Sequence, residues 1–405
     1  MKAFKDRMKK MNLTVVTKPE GTSRTSRPGQ SSPPTLLASK ASTADAPKAG
    51  AQRPPRKLIA KVSDADVASM YEIKGQVMES THQGMQVLFG KRRSDGLQVV
   101  VKTREKPASF KGGWEEREWR ETTVVQLNMP KIESMCEYIE VFETTSKYYV
   151  VMERVNGMDL FEHLQQGRIK QEDARQILHQ MLTALDSMHS AGRIHKDLKL
   201  ENVVVDLASP KVRRCNSNGS MTSVEAKLID FDTVQDWEPT SPKAKDVLGT
   251  DGYIAPEAYT GEYSPASDIY CVGVIMYKLL TGRSPSRSDI QGGPGENWVG
   301  SPAMKRIQDR LRKETVDFAR PPLNRSPEAQ RLVRSMMAFD PNERPTAAEA
   351  LESRWFHFVG DEPPRDPSHA SVEPARAGSD TRSPAGASDP SPPAADKLAL
   401  PGEPE

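Results

Sequence analysis

The sequence predicts an α+β protein: a small β-rich lobe, then a larger and mainly helical lobe, flanked by two unstructured tails. Three observations predict it. Between residues 71 and 153 apolar residues repeatedly alternate with polar ones, as in the strands of a half-buried sheet. From residue 174 onward they recur at helical spacing, and residues 268–280 are apolar nearly all round, as in a helix at a domain centre. The third is compositional: 32 prolines crowd toward the ends of a 405-residue chain that is only 36% hydrophobic.

The tails differ in charge. Residues 1–66 carry fourteen Lys/Arg against five Asp/Glu, and residues 361–405 carry four against nine, while the whole chain stands at +2. A basic arm and an acidic tail are interaction features, and the net charge gives no reason to invoke nucleic acid. Residues 1–66 are expected to be disordered, with order beginning near Val67, and 359–405 form a disordered Pro/Ala/Ser-rich tail. Near the start, Phe4, Met8 and Met11 share one helical face among bases. That pattern suits weak contact with a membrane surface or organelle targeting, though a solvated basic tail is the preferred reading. Lys2 excludes myristoylation. The longest apolar run, 269–280, is too short to span a bilayer and contains Lys278. Cys136, Cys215 and Cys271 are odd in number and far apart, which argues for a reducing, cytoplasmic compartment and against a disulfide scaffold or zinc site.

In chain order, residues 71–77 read as a first strand. Residues 85–91 and 97–103 form a hairpin around Ser94-Asp95-Gly96. Residues 114–127 are a charged helix, and 137–144 with 147–153 are two more strands. In the second lobe Ile177, Leu178, Met181, Leu182, Leu185 and Met188 give an amphipathic helix whose methionines belong to the core. Residues 207–225 are a polar insert in a hairpin, 285–301 a Gly/Pro/Ser loop, and 304–311 and 327–337 further helices.

The chemistry concentrates between Arg193 and Asp206, where Asp197, Lys199 and Asn202 fall within six residues. Phosphoryl transfer to a hydroxyl needs such a set. A carboxylate orients the acceptor and takes its proton, a cation steadies the moving group, and an amide oxygen helps hold Mg²⁺. His195-Lys-Asp-Leu-Lys-Leu-Glu-Asn202 resembles the protein-kinase catalytic loop H-R-D-L-x-x-x-N, with Lys196 in the Arg place. Asp230-Phe-Asp232 resembles D-F-G, with Asp232 replacing glycine. Gly249-Thr-Asp-Gly-Tyr-Ile-Ala-Pro-Glu257 resembles G-T-x-x-Y-x-A-P-E, and Asp340-Pro-Asn-Glu-Arg-Pro345 resembles D-x-x-x-R-P. On these motifs the chain resembles the eukaryotic-type serine/threonine protein kinases over about residues 71–356. It is most similar to the calcium/calmodulin-dependent group, with phrasing that also resembles kinases of alveolate protists. No EF-hand loop is present, so direct calcium control is not implied.

The resemblance implies a bilobal kinase fold. An N-lobe of about 67–153 includes the helix the family calls αC, a C-lobe of about 158–358 contains the insert 207–225, and ATP with Mg²⁺ lies between them. It makes Asp197 the catalytic carboxylate, positioned with Lys199 by Thr250. Lys102, ending Val99-Val-Val-Lys102, stands at the lysine of V-A-I-K and would bind the α- and β-phosphates. Glu121 is the expected partner of Lys102, since Val124 and Val125 then face the core, with Glu118 as the alternative. Val77, Val100, Met152 and Val204 would enclose the nucleotide, with main-chain contacts from Glu153 and Val155, and Asn202 and Asp230 would hold the metal. Asp268 would bond the catalytic loop and Arg344 would pair with Glu257. Asp246, at the place of an activating phosphothreonine in many relatives, would pair with Lys196 and make activation-loop phosphorylation unnecessary. Asp159 and Glu201 would give a mild preference for basic sequences around the acceptor, against Lys278. Protein substrates with Ser or Thr acceptors and a monomeric state follow. One departure points the other way: Met78-Glu-Ser-Thr-His-Gln-Gly84 keeps one glycine where the family's phosphate loop has three, which weakens nucleotide binding and makes a pseudokinase the alternative.

Overall fold

The computed structural model describes residues 56–78, 84–110, 112–129, 131–167, 169–207, 214–215, 221–222, 224–286 and 297–357. The expected tail 359–405, most of the expected basic arm, and the stretch 79–83 carrying the departures from the glycine-rich loop lie outside these residues.

The first lobe is built on a six-stranded sheet: β1 (Ala60–Lys61), β2 (Tyr71–Met78), β3 (Met85–Arg92), β4 (Gln98–Glu105), β5 (Tyr138–Glu143) and β6 (Lys147–Glu153). Their order is β1-β5-β6-β4-β3-β2, antiparallel except for the β1–β5 pair. Period-two patterning gives β4 two different faces. Val99 and Val101 point into a small cluster with Val67, Tyr71, Phe142, Tyr149 and Val151, while Val100, Lys102 and Arg104 stay half-exposed on the other side. The first face is roofed by α1 (Asp64–Met70). The other face carries α2 (Lys106–Ser109) and α3 (Gly113–Leu127), whose Trp119 lies 4.7 Å from the Tyr148 ring.

Order therefore starts earlier than Val67. Ser63 caps α1 reciprocally with Asp66, and β1 extends the sheet edge. Lys57 is tied to the end of α3 by two hydrogen bonds of 2.8 Å with the Asn128 side chain. The signal was present in Ser63-Asp-Ala-Asp66, a capping box placed just before an apolar position.

The second lobe follows β7 (Met158–Asp159) and α4 (Leu160–Gln166). Its centre is α5 (Gln171–Ser190), which buries Ile177, Leu178, Met181, Leu182, Leu185 and Met188, packed against α6 (Pro265–Thr281). On another side of α6, at Gly273, a β-carbon would lie 2.6 Å from Met337 Cγ, at the end of the helix Pro327–Met336. Helices α7 (Pro302–Lys313), α8 (Pro327–Met336), α9 (Ala347–Leu351) and α10 (Arg354–His357) complete the lobe. Between α5 and α6 the chain forms β8 (Arg193–Ile194), β9 (Val203–Asp206), β10 (Arg214–Cys215), β11 (Met221–Thr222), β12 (Glu225–Leu228) and β13 (Gln235–Asp236). β9 and β12 pair antiparallel from Val203–Leu228 to Asp206–Glu225, and β10 pairs antiparallel with β11; most of the expected insert 207–225 lies outside the described residues.

Candidate active site

The loop between β8 and β9 hangs from one buried carboxylate. Asp268, at the start of α6 and fully buried, accepts the main-chain N–H of His195 at 2.8 Å and of Lys196 at 2.9 Å, and its Oδ2 lies 3.0 Å from His189 Nε2. Burial opposes its ionisation, but the bonds from His189 and His195 prevail and hold its pKa below the usual aspartate value. The loop needs this anchor, because Lys196 adopts φ of 71°, a left-handed conformation uncommon for a side-chain-bearing residue.

So held, the loop presents Asp197. Thr250 Oγ1 donates to Asp197 Oδ1 at 2.7 Å, while Lys199 Nζ donates to Asp197 Oδ2 at 2.9 Å and to Thr250 Oγ1 at 3.0 Å. Asn202 Nδ2 donates to the Asp197 carbonyl at 2.8 Å. The amide nitrogen is thus committed inward, which leaves Asn202 Oδ1 as a free-facing acceptor. Ile229 N–H donates to the Asn202 carbonyl at 3.0 Å, so β12 delivers Asp230 beside Asn202. Asp230 is the other described non-glycine residue with positive φ, 62°. Phe231 is buried against the rings of Tyr138 and His195 and fixes the backbone on both sides of itself.

Across the cleft, β4 brings Lys102 to the same place. Its Nζ lies 2.9 Å from Asp230 Oδ1 and 2.5 Å from Asp232 Oδ2. Burial works against the Lys102 ammonium, but the two aspartates outweigh it and raise its pKa above the ordinary lysine value. Asp230 likewise ionises readily despite burial, its pKa lowered to about 2 chiefly by Lys102.

Val100 pairs with Met152 across β4 and β6, as expected for one wall of a cleft. Val204 is half-buried in β9, and Val77 is exposed near the end of β2. Lys227 Nζ holds the Glu153 carboxylate at 2.6 Å, and Glu153 N–H is spent on Glu137 O. Among the described residues the main-chain N–H and C=O of Val155 make no backbone hydrogen bond, which leaves them for a ligand with its own donor and acceptor. Hard oxygen donors at Asp230 and Asn202 beside a cationic Lys102 fit a Mg²⁺-nucleotide, in which the phosphates complete the metal's shell. Val155, with the apolar residues around it, fits the base.

Residues 83–356 match the protein kinase domain family. The chain belongs to the protein kinase family. It is 30% identical over 273 residues to "CBL-interacting serine/threonine-protein kinase 9" of Arabidopsis thaliana, covering 67% of this chain and 54% of that one. It is 27% identical over 293 residues to "CaM kinase-like vesicle-associated protein" of Xenopus laevis, covering 72% and 71%. With "Calcium-dependent protein kinase 24" of Arabidopsis thaliana it shares 29% over 239 residues, 58% of this chain and 36% of that one. The chain spans about half the length of the plant CBL-interacting relatives it matches. These relatives agree with a kinase similar to the calcium/calmodulin-dependent group, and kinases of this family use ATP and Mg²⁺.

Within the family frame two expectations are corrected. Glu121 does not pair with Lys102. The inward face of α3 carries Trp119, Thr123, Gln126 and Leu127, and Glu121 lies two residues from Trp119, about 200° round the helix and exposed. Glu118 is exposed as well, and Val124 and Val125 are half-buried where the core had been expected. The choice failed because the helix buries an aromatic and polar stripe where its valines had marked the core. Nor does Asp246 pair with Lys196. Lys196 Nζ donates to Gln235 Oε1 at 2.8 Å and sits 4.5 Å from the Tyr263 ring centroid, while Asp246 is exposed. The activation segment is instead held through its main chain, by Val247 N–H to Asn297 O at 2.7 Å, Val299 N–H to Lys245 O at 2.9 Å and Ala244 N–H to Gly261 O at 2.9 Å.

Another expected contact is present. Arg344 clasps Glu257 through two 2.7 Å bonds in a buried pair, with Ser267 Oγ on the same carboxylate at 2.8 Å. Asp159 is half-buried and spends Oδ1 on capping α4 through Glu162 N–H at 2.8 Å. The residue that the motifs did not assign is Asp232. Its only signal was negative, an acidic side chain where the family has none.

Proposed function

We propose that this protein is an ATP-dependent protein serine/threonine kinase, which transfers the γ-phosphate to Ser or Thr hydroxyls of protein substrates. The observation that carries this is the Asp197 cluster. A substrate hydroxyl brought to Asp197 would meet a carboxylate whose orientation is fixed by Thr250 and Lys199. The carboxylate orients that hydroxyl and takes its proton as the oxygen bonds to the γ-phosphorus and the bond from that phosphorus to the β–γ bridging oxygen breaks, with ADP leaving, while Lys199 steadies the charge on the moving group. Asp230 and Asn202 would hold Mg²⁺, which when bound would supply positive charge against the phosphates. Lys102 anchors the α- and β-phosphates, Val77, Val100, Met152 and Val204 enclose the base, and the Glu153 and Val155 main chain reads its edge.

A mild preference for basic context around the acceptor accompanies this reading. Asp159 at the start of α4 and Glu201 in the catalytic loop add negative charge, and Lys278 offsets part of it. The Lys278 ammonium stands 3.7 Å over the Tyr253 ring, its pKa lowered to about 8 by burial, with Glu201 acting the other way. A peptide array with no basic preference refutes this part. The protein is proposed to act as a cytoplasmic monomer. The described thiols, Cys136 and Cys271, are buried and free, and burial pushes Cys136 up to about 12, so neither is a reactive thiolate. Among the described residues no helix is long and apolar enough to cross a membrane.

The second reading, a pseudokinase that binds partners with little turnover, draws on Met78 in a glycine place and on the pairing of Lys102 with Asp230 and Asp232 in place of an α3 glutamate. Thermal shift with Mg·ADP, compared between the natural protein and Lys102→Met, separates the two in part. A shift lost in the variant supports a working nucleotide site, and no shift in either supports the pseudokinase.

A further inference from the structure

In this site Lys102 has two carboxylates and neither comes from α3. Asp230 is one, and it is also the residue placed to hold Mg²⁺. The other, Asp232, is the shorter contact at 2.5 Å and stands where its relatives' motif has a glycine, which could offer no side chain at all. The inward positions of α3 are meanwhile filled. Trp119 packs on Tyr148 and Phe110, and the Arg104 guanidinium, two residues along β4 from Lys102, lies 4.1 Å from the Phe110 centroid and 5.2 Å from that of Trp119. A cation stacked on aromatics occupies the space between strand and helix, and the half-buried Glu116 is taken up by the Tyr148 hydroxyl.

We propose that Asp232 is the positioning carboxylate for Lys102, a task moved from the helix to the segment following Phe231. The division of labour is then simple. Asp230 with Asn202 supplies oxygen donors for the metal, and Asp232 keeps the ammonium aligned when Asp230 is committed elsewhere. Phe231, locked between Tyr138 and His195, holds both aspartates in register. One consequence follows for control. The lysine's alignment no longer depends on where α3 sits, so displacing α3 leaves the phosphate anchor in place. The catalytic part of this inference rests on the phosphotransfer reading, whereas the placement of Lys102 does not.

The test is a double-mutant cycle in urea unfolding on the full chain without nucleotide, using Asp232→Asn, Lys102→Met and the pair. Asp232→Asn should lower the unfolding midpoint in the natural background and lower it clearly less in Lys102→Met, where the attraction to Arg104 and the repulsion with Asp230 remain. Equal drops in both backgrounds overturn the proposal. Glu121→Gln should show shifts that simply add to those of Lys102→Met, and coupling there instead of at Asp232 also overturns it. The kinetic arm distinguishes positioning from mere structure. Asp232→Gly, the family residue, should lose about tenfold or more in kcat/KM for Mg·ATP with the peptide KM unchanged, and Asp232→Glu should recover most of it. Full activity in Asp232→Gly refutes the catalytic role. If the natural protein transfers no phosphate, the phosphotransfer reading fails while the urea cycle still decides where Lys102 is held.

Discussion

Thr250→Val is the perturbation that bears most directly on how Asp197 is aimed. Valine keeps the branched shape and removes the hydroxyl, which bridges Asp197 Oδ1 at 2.7 Å and Lys199 Nζ at 3.0 Å. Both contacts involve a charged group, and such bonds contribute about 1.5–3 kcal/mol each. Asp197 and Lys199 still contact one another at 2.9 Å, so the variant frees the carboxylate to rotate and does not unpair the cluster. Taking the equivalent of one bond as lost from the transition state gives a fall in kcat of roughly 10- to 150-fold. KM for ATP should hardly change, since the Thr250 hydroxyl bonds Asp197 and Lys199 and neither Lys102 nor Asp230. Stability should hold to within about 3 °C in Tm, because shape is kept and the site is only half-buried. Steady-state phosphorylation of a peptide, with thermal melting alongside, measures all three. Thr250→Ser, which restores the hydroxyl, should recover most of kcat. A Thr250→Val enzyme within threefold of the natural one refutes the reasoning, as does a loss that Thr250→Ser fails to restore.

Three further outcomes are expected. Gly157→Ala should destabilise the protein by about 2–4 kcal/mol in urea unfolding, since φ is 108° there and a β-carbon would sit 2.2 Å from the Val205 carbonyl oxygen. Acid should weaken the first lobe through Glu143. Burial opposes its ionisation, but Arg120 and Lys106 hold its pKa at about 2 against an ordinary 4.5. Because the folded value is depressed, this stabilisation is complete above about 4.5 and disappears as pH falls through about 2, so Glu143→Gln should flatten the stability–pH curve in that window in acid unfolding followed by circular dichroism. Removal of residues 1–62 should speed amide exchange at the end of α3, because it deletes β1 and both Lys57–Asn128 bonds, whereas removal of residues 1–55 should leave that exchange unchanged.

What could be read from the chain follows a physical divide. Asp197, Lys199, Asn202 and Thr250 converge as expected because one short loop, a hairpin partner and a buried anchor fix them, and each link leaves a local pattern. The β4 register was legible for the same reason: one half-buried strand places Val100 and Lys102 on the cleft side and Val99 and Val101 on the other. The partner of Lys102 was not legible. Phase along α3 depends on which of several competing faces packs, and there Trp119 prevailed over the valines. Lys196 misled in a similar way, because Gln235 and Tyr263 reach it from segments whose approach no local motif encodes. The structure between Arg56 and Val67 was partly legible in the Ser63–Asp66 cap, but a two-residue strand leaves almost no periodicity to detect.

The central claim is that this site moves phosphate. Transfer of radiolabelled γ-phosphate from ATP to a mixed set of basic peptides and a general protein acceptor tests it most directly, with Asp197→Asn as the control. The account predicts label on Ser and Thr with the natural protein and loss of at least about a hundredfold with the variant. No transfer by the natural protein, folded and with Mg²⁺ supplied, contradicts it, and so does transfer that the Asp197→Asn variant retains.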